Sequence, residues 1–252
     1  MKLTLITITY NAEKVLERTL KSIATQTVQS FEYLIIDGAS KDDTLALAEK
    51  YKQHIKKIVS EKDKGIYDAM NKGLSLATGD YVWFMNAGDE LHDSQVIELF
   101  FEKISENADV YYGETLFVDE NGIGKGLRSE VTPHQLPRNL SWKSMRYGMV
   151  VCHQAFIARR SIAPQYILNH YYSADIDWEI RCLKASKKTV YLDFTLAKYL
   201  TGGFSIKNLK KSWCDRYAIL RNHFGFFGAV WSHVVIVLRG ILFALKKGGK
   251  YW

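Results

Sequence analysis

Thr78-Gly-Asp-Tyr-Val-Trp-Phe-Met-Asn-Ala-Gly-Asp89 decides the fold. Gly79-Asp80 turns the chain into the apolar run Tyr81–Met85, and Asn86-Ala-Gly-Asp89 ends that run on a polar, acid-bearing turn. A short unbroken apolar run between turn residues reads as a strand buried on both faces. The same grammar repeats upstream. Leu3–Thr9 is β-rich, and Ala12–Gln26 carries Val15, Leu16, Leu20, Ile23 and Ala24 as a helical stripe. Tyr33–Ile36 is a short strand stopped by Asp37-Gly38, and Thr44–Tyr51 is a helix opened by the capping cluster Ser40, Asp42 and Asp43. Ile55–Val59 is a third strand. Ile66, Ala69, Met70, Gly73, Leu74 and Ala77 then mark one face of another helix. This alternation predicts an α/β fold, a mainly parallel sheet with helices on both faces. Such sheets bind ligands at the carboxyl ends of their strands, where Asp37 and the Asn86–Asp89 turn fall.

Downstream, residues 107–135 are less regular, with a hairpin turn at Asp119-Glu-Asn-Gly122. Trp178–Ala185 reads as helix, and Thr189–Leu192 and Leu196–Leu200 as extended segments. Gly202-Gly203 marks a boundary between a domain at 1–205, with halves 1–106 and 107–205, and a tail at 206–252. Met1-Lys2 and the threonine-rich run after it read as a strand rather than a signal peptide, so the active face is expected in the cytoplasm.

The 252 residues are 47% hydrophobic with three cysteines, an odd number without a CxxC pair. That excludes a disulfide framework and a cysteine-rich zinc site. Residues 1–126 hold 14 Lys+Arg against 21 Asp+Glu, whereas 127–252 hold 20 against 6. An acidic half suits a cation site and a basic half an anionic partner. Within the tail, Phe224–Leu245 is long enough to span a bilayer of ~30 Å. His233 and Arg239 interrupt it, and a central Arg costs about 2.5–3.5 kcal/mol on insertion scales. Lys246, Lys247, Lys250, Tyr251 and Trp252 form a basic aromatic flank suited to headgroups. The preferred reading is a helix lying on an anionic inner-leaflet surface, beside a packed core helix and a true span. The tail is rich in Val, Ile and Leu rather than an Arg-lined face, so no nucleic-acid partner is expected.

No GxGxxG follows the first strand, and GxxxxGK[ST], Gly-x-Ser-x-Gly and His-Glu-x-x-His are all missing from the sequence. The chemistry on offer is carboxylate: Asp37, Asp68 on the polar side of its helix, and Asp89. A strand-end carboxylate can hold Mg²⁺ or Mn²⁺ against diphosphate oxygens, or it can be an ordinary turn acid. Ser173-Ala-Asp175-Ile-Asp177-Trp178-Glu179 places three acids just before a helix, as a general base or as helix capping.

Read in order, these blocks resemble family-2 glycosyltransferases of the GT-A fold over roughly residues 1–205. The resemblance rests on Ile6-Thr-Ile-Thr-Tyr-Asn11, Leu20-Lys-Ser-Ile-Ala-Thr-Gln26, Ile35-Ile-Asp-Gly-Ala-Ser40 and Thr78–Asp89. Ser60-Glu-Lys-Asp-Lys-Gly-Ile-Tyr-Asp-Ala-Met-Asn-Lys-Gly73, with His153-Gln154 and Gly202-Gly203-Phe204-Ser205, resembles the bacterial surface-polysaccharide, colanic-acid-type branch. The resemblance implies a nucleotide-sugar donor, a divalent metal, inversion at the anomeric carbon and a glycan or polyprenyl-diphosphate-linked acceptor. It implies a nucleotide pocket at Thr9, Tyr10 and Asp37 with Asp68 nearby, metal at Asp89, and Asp175 as base with Asp177 as its understudy. His153 and Trp178 would sit on the acceptor side. Gly38 and Gly88 stand where many relatives carry acids, and Asn86 replaces another. Those departures leave a second reading, an inactive membrane-attached glycan-binding scaffold on the same fold.

Overall fold

The computed structural model describes residues 1–104, 108–202 and 208–247. Four strands, β1 (Leu3–Thr9), β2 (Glu32–Asp37), β3 (Lys57–Ser60) and β4 (Tyr81–Phe84), lie parallel in the order β3-β2-β1-β4. Between them run α1 (Leu16–Ala24), α2 (Thr44–Lys50) and α3 (Ile66–Leu76). The pattern of β1 explains its place. Leu3 and Leu5 enter the core on one face of the sheet, Ile6 and Ile8 the core on the other. In β4, Tyr81 and Trp83 divide from Val82 and Phe84 in the same way. A strand apolar on both sides belongs in the middle of a covered sheet. The buried threonines of β1 are tolerated because each hydroxyl finds an acceptor: Thr4 donates to Glu32, Thr7 to the carbonyl of Met85 and Thr9 to Asp37.

The sheet does not stop at β4. β5 (Glu90–Leu91), β6 (Val110–Val118), β7 (Gly124–Leu127), β8 (Phe156–Arg159) and β9 (Thr189–Leu200) extend it to nine strands among the described residues. β8 is antiparallel to β4, β6 antiparallel to β8, and β9 parallel to β6. α4 (Val96–Lys103) and the short α5 (Arg128–Val131) complete this part, with β6 and β7 forming the hairpin expected at Asp119–Gly122.

Two elements differ from the sequence reading. The Thr189–Leu192 and Leu196–Leu200 segments are one strand, β9. Its pairing with β6 slips from Tyr112↔Tyr191 to Glu114↔Thr195, so β9 carries extra residues that break the alternation. The helix expected from Trp178 begins earlier, as α6 (Ala174–Ala185), which puts Asp175 and Asp177 inside its first turn.

The tail forms α7 (Leu209–Lys246), interrupted at Gly225, whose φ of 74° is left-handed. Its first part is clasped to α6. Asp215 accepts from the backbone N–H of Tyr172 and Ser173 and pairs with His170 Nδ1 at 2.7 Å. His223 Nε2 reaches Asp177 Oδ1 at 2.8 Å. In the second part, Arg239 donates to the carbonyl of Tyr147, while Gly228, Ala229 and Ser232 are buried. Phe227 (85% exposed), Trp231, Val234, Leu238, Leu242 and Leu245 face outward. Gly203-Phe204-Ser205 and the terminal Lys250, Tyr251 and Trp252 lie outside the described residues.

Candidate active site

Parallel register sets the first cluster. Thr9, Asp37 and Ser60 are direct neighbours across β1, β2 and β3 at the strands' carboxyl ends. Asp37 has no exposed surface. Its Oδ1 accepts from the hydroxyls of Thr9 and Ser40, and its Oδ2 from Ser40 N–H at 2.9 Å and Ser60 Oγ at 2.6 Å. Burial alone would raise its pKa, but the hydrogen bonds from Ser40, Ser60 and Thr9 prevail and hold it below the usual carboxylate value. Tyr10, the next residue along, is 64% exposed over this end of the sheet. Asp68 lies one turn into α3 and caps the backbone N–H of Lys64 at 2.9 Å. It touches none of the Asp37 cluster through a hydrogen bond.

Asp89 closes the turn that follows β4, with its N–H on the carbonyl of Asn86. Gly88 has φ 100°, and a Cβ there would come 3.0 Å from a Leu200 methyl. The turn therefore takes glycine. Asp89 is buried, and the second half of the chain holds both its oxygens, with Gln154 Nε2 at 2.7 Å and Leu200 N–H at 2.9 Å. Burial pushes its pKa up to about 7, opposed by Leu200, Gln154 and Arg18. No cluster of three His, Cys, Asp or Glu side chains occurs among the described residues. Asn86 Oδ1, however, is buried on the same turn without a hydrogen-bond partner. Two hard oxygens from one turn fit a Mg²⁺ or Mn²⁺ ion whose remaining ligands are phosphate and water.

Asp175 sits in the first turn of α6. Its Oδ1 accepts from Tyr67 Oη of α3 at 3.3 Å and from Ile176 N–H at 3.0 Å. Oδ2 has no hydrogen-bond partner among the described residues. Burial raises its pKa to about 6, opposed by Ile176 N–H, Tyr67 and Arg216. A carboxylate near pKa 6 with one open oxygen is suited to accept a hydroxyl proton near neutral pH. Glu179, one turn on, is wholly buried with both oxygens unpartnered among the described residues, and burial pushes it well up.

Three expected site residues are engaged in contacts within the protein. Asp177 is 3% exposed and gripped by Arg181 at 2.6 Å and His223 at 2.8 Å. Burial is outweighed by these partners and its pKa is lowered, which makes it a weak proton acceptor. Trp178 has no exposed surface, lies flat on Tyr166 at 5.1 Å and donates to the carbonyl of Pro164. His153 is buried against Phe84 and Trp178, shares a 2.7 Å hydrogen bond with Tyr166 Oη, and burial drives its pKa down to about 3. Neither ring offers a surface to an acceptor. Gln154 and Tyr67 escaped the sequence reading. Gln154 stood beside the histidine in a quoted block, but nothing in one sequence says which of two neighbours reaches the strand-end acid.

The profile described as Glycosyl transferase family 2 matches residues 4–166. The chain belongs to that family. Among curated relatives, the PGL/p-HBAD biosynthesis glycosyltransferase of Mycobacterium bovis (strain BCG / Pasteur 1173P2) is 32% identical over 82% of this chain and 80% of its own length. The cholesterol galactosyltransferase of Borreliella burgdorferi is 33% identical over 43% of this chain and 31% of its own. Among solved structures, S. aureus TarS 1-349 in complex with UDP-GlcNAc superposes with a TM-score of 0.67 at 20% identity, over 87% of this chain. This transferase spans 65% of that TarS chain. The mannosyltransferase PcManGT from Pyrobaculum calidifontis, in complex with GDP-Man and Mn2+, superposes at 0.59 with 13% identity. These likenesses place the chain in the GT-A fold.

Proposed function

We propose that this family-2 glycosyltransferase moves a sugar from a nucleoside-diphospho-sugar to an acceptor hydroxyl in one inverting displacement. The observation that carries the reading is Asp175: an acid shifted to about 6, with an open Oδ2, on the second half of the chain and held by Tyr67 of α3 in the first. Asp175 takes the hydroxyl proton as that oxygen attacks the anomeric carbon. Tyr67 and Ile176 N–H hold its other oxygen and so fix the direction of the open one. Tyr10 offers an exposed ring for the base. Asp89 and Asn86 would hold a Mg²⁺ or Mn²⁺ ion, which when bound stabilises negative charge on the leaving diphosphate.

The acceptor reading draws on the tail. An opening of about 360 Å³ between the segment before α6 and the start of α7 is lined by Tyr171, Tyr172, Lys210 and Lys211, with Asp215, already hydrogen-bonded to the protein, also on its wall. Its lysines suit an anionic acceptor, a glycan on a polyprenyl diphosphate. The outward stripe of α7 suits the inner face of the cytoplasmic membrane. An 18-residue window of α7 has a mean hydropathy of 1.9 and is 17% buried, long and apolar enough to cross a membrane by length and composition. Arg239, bonded to Tyr147, favours lying on the surface instead, since a span would tear it from its partner into hydrocarbon. A relative named for cholesterol galactosylation agrees with an apolar acceptor carrier.

Thermal unfolding with UDP, GDP or dTDP and Mn²⁺ tests the donor site. One nucleotide is expected to raise Tm by several degrees, as ligand binding to the native state requires. Asp89→Asn should keep its fold and lose the Mn²⁺-dependent part of that rise. A scaffold with a retired site gives no rise with any of the three.

A further inference from the structure

Asp37 is the strand-end acid expected to face the nucleotide, yet its acceptor capacity is already spent within the protein. Two oxygens take four hydrogen bonds from Thr9, Ser40 and Ser60, about the full lone-pair complement of a carboxylate. A base N–H arriving there would have to displace one of them.

A second carboxylate stands beside it from a different segment. Asp63, on the loop between β3 and α3, uses Oδ1 to accept the Gly65 N–H at 2.8 Å, which fixes the side chain. Its Oδ2 accepts no hydrogen bond among the described residues. That oxygen lies against Gly38. A Cβ placed on Gly38 would collide with Asp63 Oδ2 and come 3.2 Å from Tyr10 Cδ2. The glycine thus leaves a space that the Asp63 carboxylate and the exposed Tyr10 ring share.

We infer that Asp63 Oδ2 accepts the ring N–H of the donor's base, and so selects uracil, thymine or guanine over cytosine. The inference rests on the nucleotide-sugar reading of the cleft. A planar base lying on Tyr10 brings its edge to the neighbouring carboxylate. A carboxylate accepts hydrogen bonds and donates none. Uracil and thymine present N3–H and guanine N1–H with an adjoining amino group, whereas cytosine sets its one amino donor beside a bare N3 lone pair that the charge repels.

The test is calorimetric titration of wild type and Asp63→Asn with UDP, dTDP, GDP and CDP in the presence of Mn²⁺. Wild type is expected to bind one of the first three at least roughly tenfold more tightly than CDP. Asparagine keeps an oxygen for Gly65 N–H, so the loop holds its shape, and it turns an NH₂ toward the base. That group can donate to cytosine N3, so the preference over CDP should fall to about threefold or less. Gly38→Ala, whose Cβ crowds Asp63 aside without supplying another carboxylate, is expected to weaken the preferred nucleotide while leaving Tm within a few degrees. An unchanged preference in folded Asp63→Asn overturns this inference alone. Failure of all four nucleotides to bind wild type overturns the reading of the cleft and this inference together.

Discussion

Asp175 and Asp177 share one helical turn and have opposite proton chemistry. Asp175 is half-buried with a tyrosine and an amide for company, and its pKa rises to about 6. Asp177 is more deeply buried, but Arg181 and His223 grip it and its pKa falls. Substituting the two is therefore expected to cause different losses. Asp175→Asn should lower kcat by about 10²–10⁴-fold with donor affinity unchanged. In wild type, kcat/KM should climb about tenfold per pH unit up to about pH 6 and level off above it, because the base acts only when deprotonated. Asp177→Asn should instead cost stability, roughly 2–4 kcal/mol in urea melts at pH 7, by stranding Arg181 and His223. A depressed pKa stabilises the fold above the unfolded value of 3.8 and loses that contribution as pH falls through the folded one. The wild-type advantage over Asp177→Asn should accordingly shrink toward pH 3. A single sequence gave both aspartates the same helix-entry signature; only their partners, 46 residues away in the case of His223, tell them apart.

Among elements, α7 is the most informative. Its length and apolarity were legible from residue 224 onward, as was the conflict posed by Arg239. Its direction was not. The small residues Gly228, Ala229 and Ser232 face the body and the large apolar ones face out, an orientation that periodicity alone cannot supply. Replacing Phe227, Trp231 and Leu242 together by Asp should abolish co-sedimentation with anionic vesicles and leave Tm within a few degrees, since all three are exposed. Undiminished vesicle binding by that variant would remove α7 from the membrane. Asp215 binds α7 to the two residues preceding Ala174, at the entry of the helix that carries Asp175. Asp215→Asn is expected to lower kcat several-fold more than it raises donor KM, which steady-state kinetics at saturating donor would reveal. β1 to β4 were readable because each is a short apolar run closed by turn residues. β9 was not, because its slipped register hides a single strand behind two hydrophobic segments.

Across the whole molecule, one sheet joins the two halves, and the joining sets the cleft. Asp89 belongs to the parallel part by sequence, yet the second part supplies both of its hydrogen-bond donors, Gln154 and Leu200. Asp175 belongs to the second part and is held by Tyr67 of the first. The parallel order and its strand-end acids followed from local patterning, whereas these cross-contacts depend on β8 and β9 pairing far from their sequence neighbours. In the proposed mechanism the two halves together transfer a sugar with Asp175 as the proton acceptor. The most direct test is release of nucleoside diphosphate from UDP-, GDP- and dTDP-sugars with Mn²⁺ and a membrane extract as acceptor source, comparing wild type with Asp175→Asn. The account predicts release by wild type from one donor and at least a roughly hundredfold slower rate in the variant, with equal nucleotide affinity. Equal rates from the two proteins would contradict it.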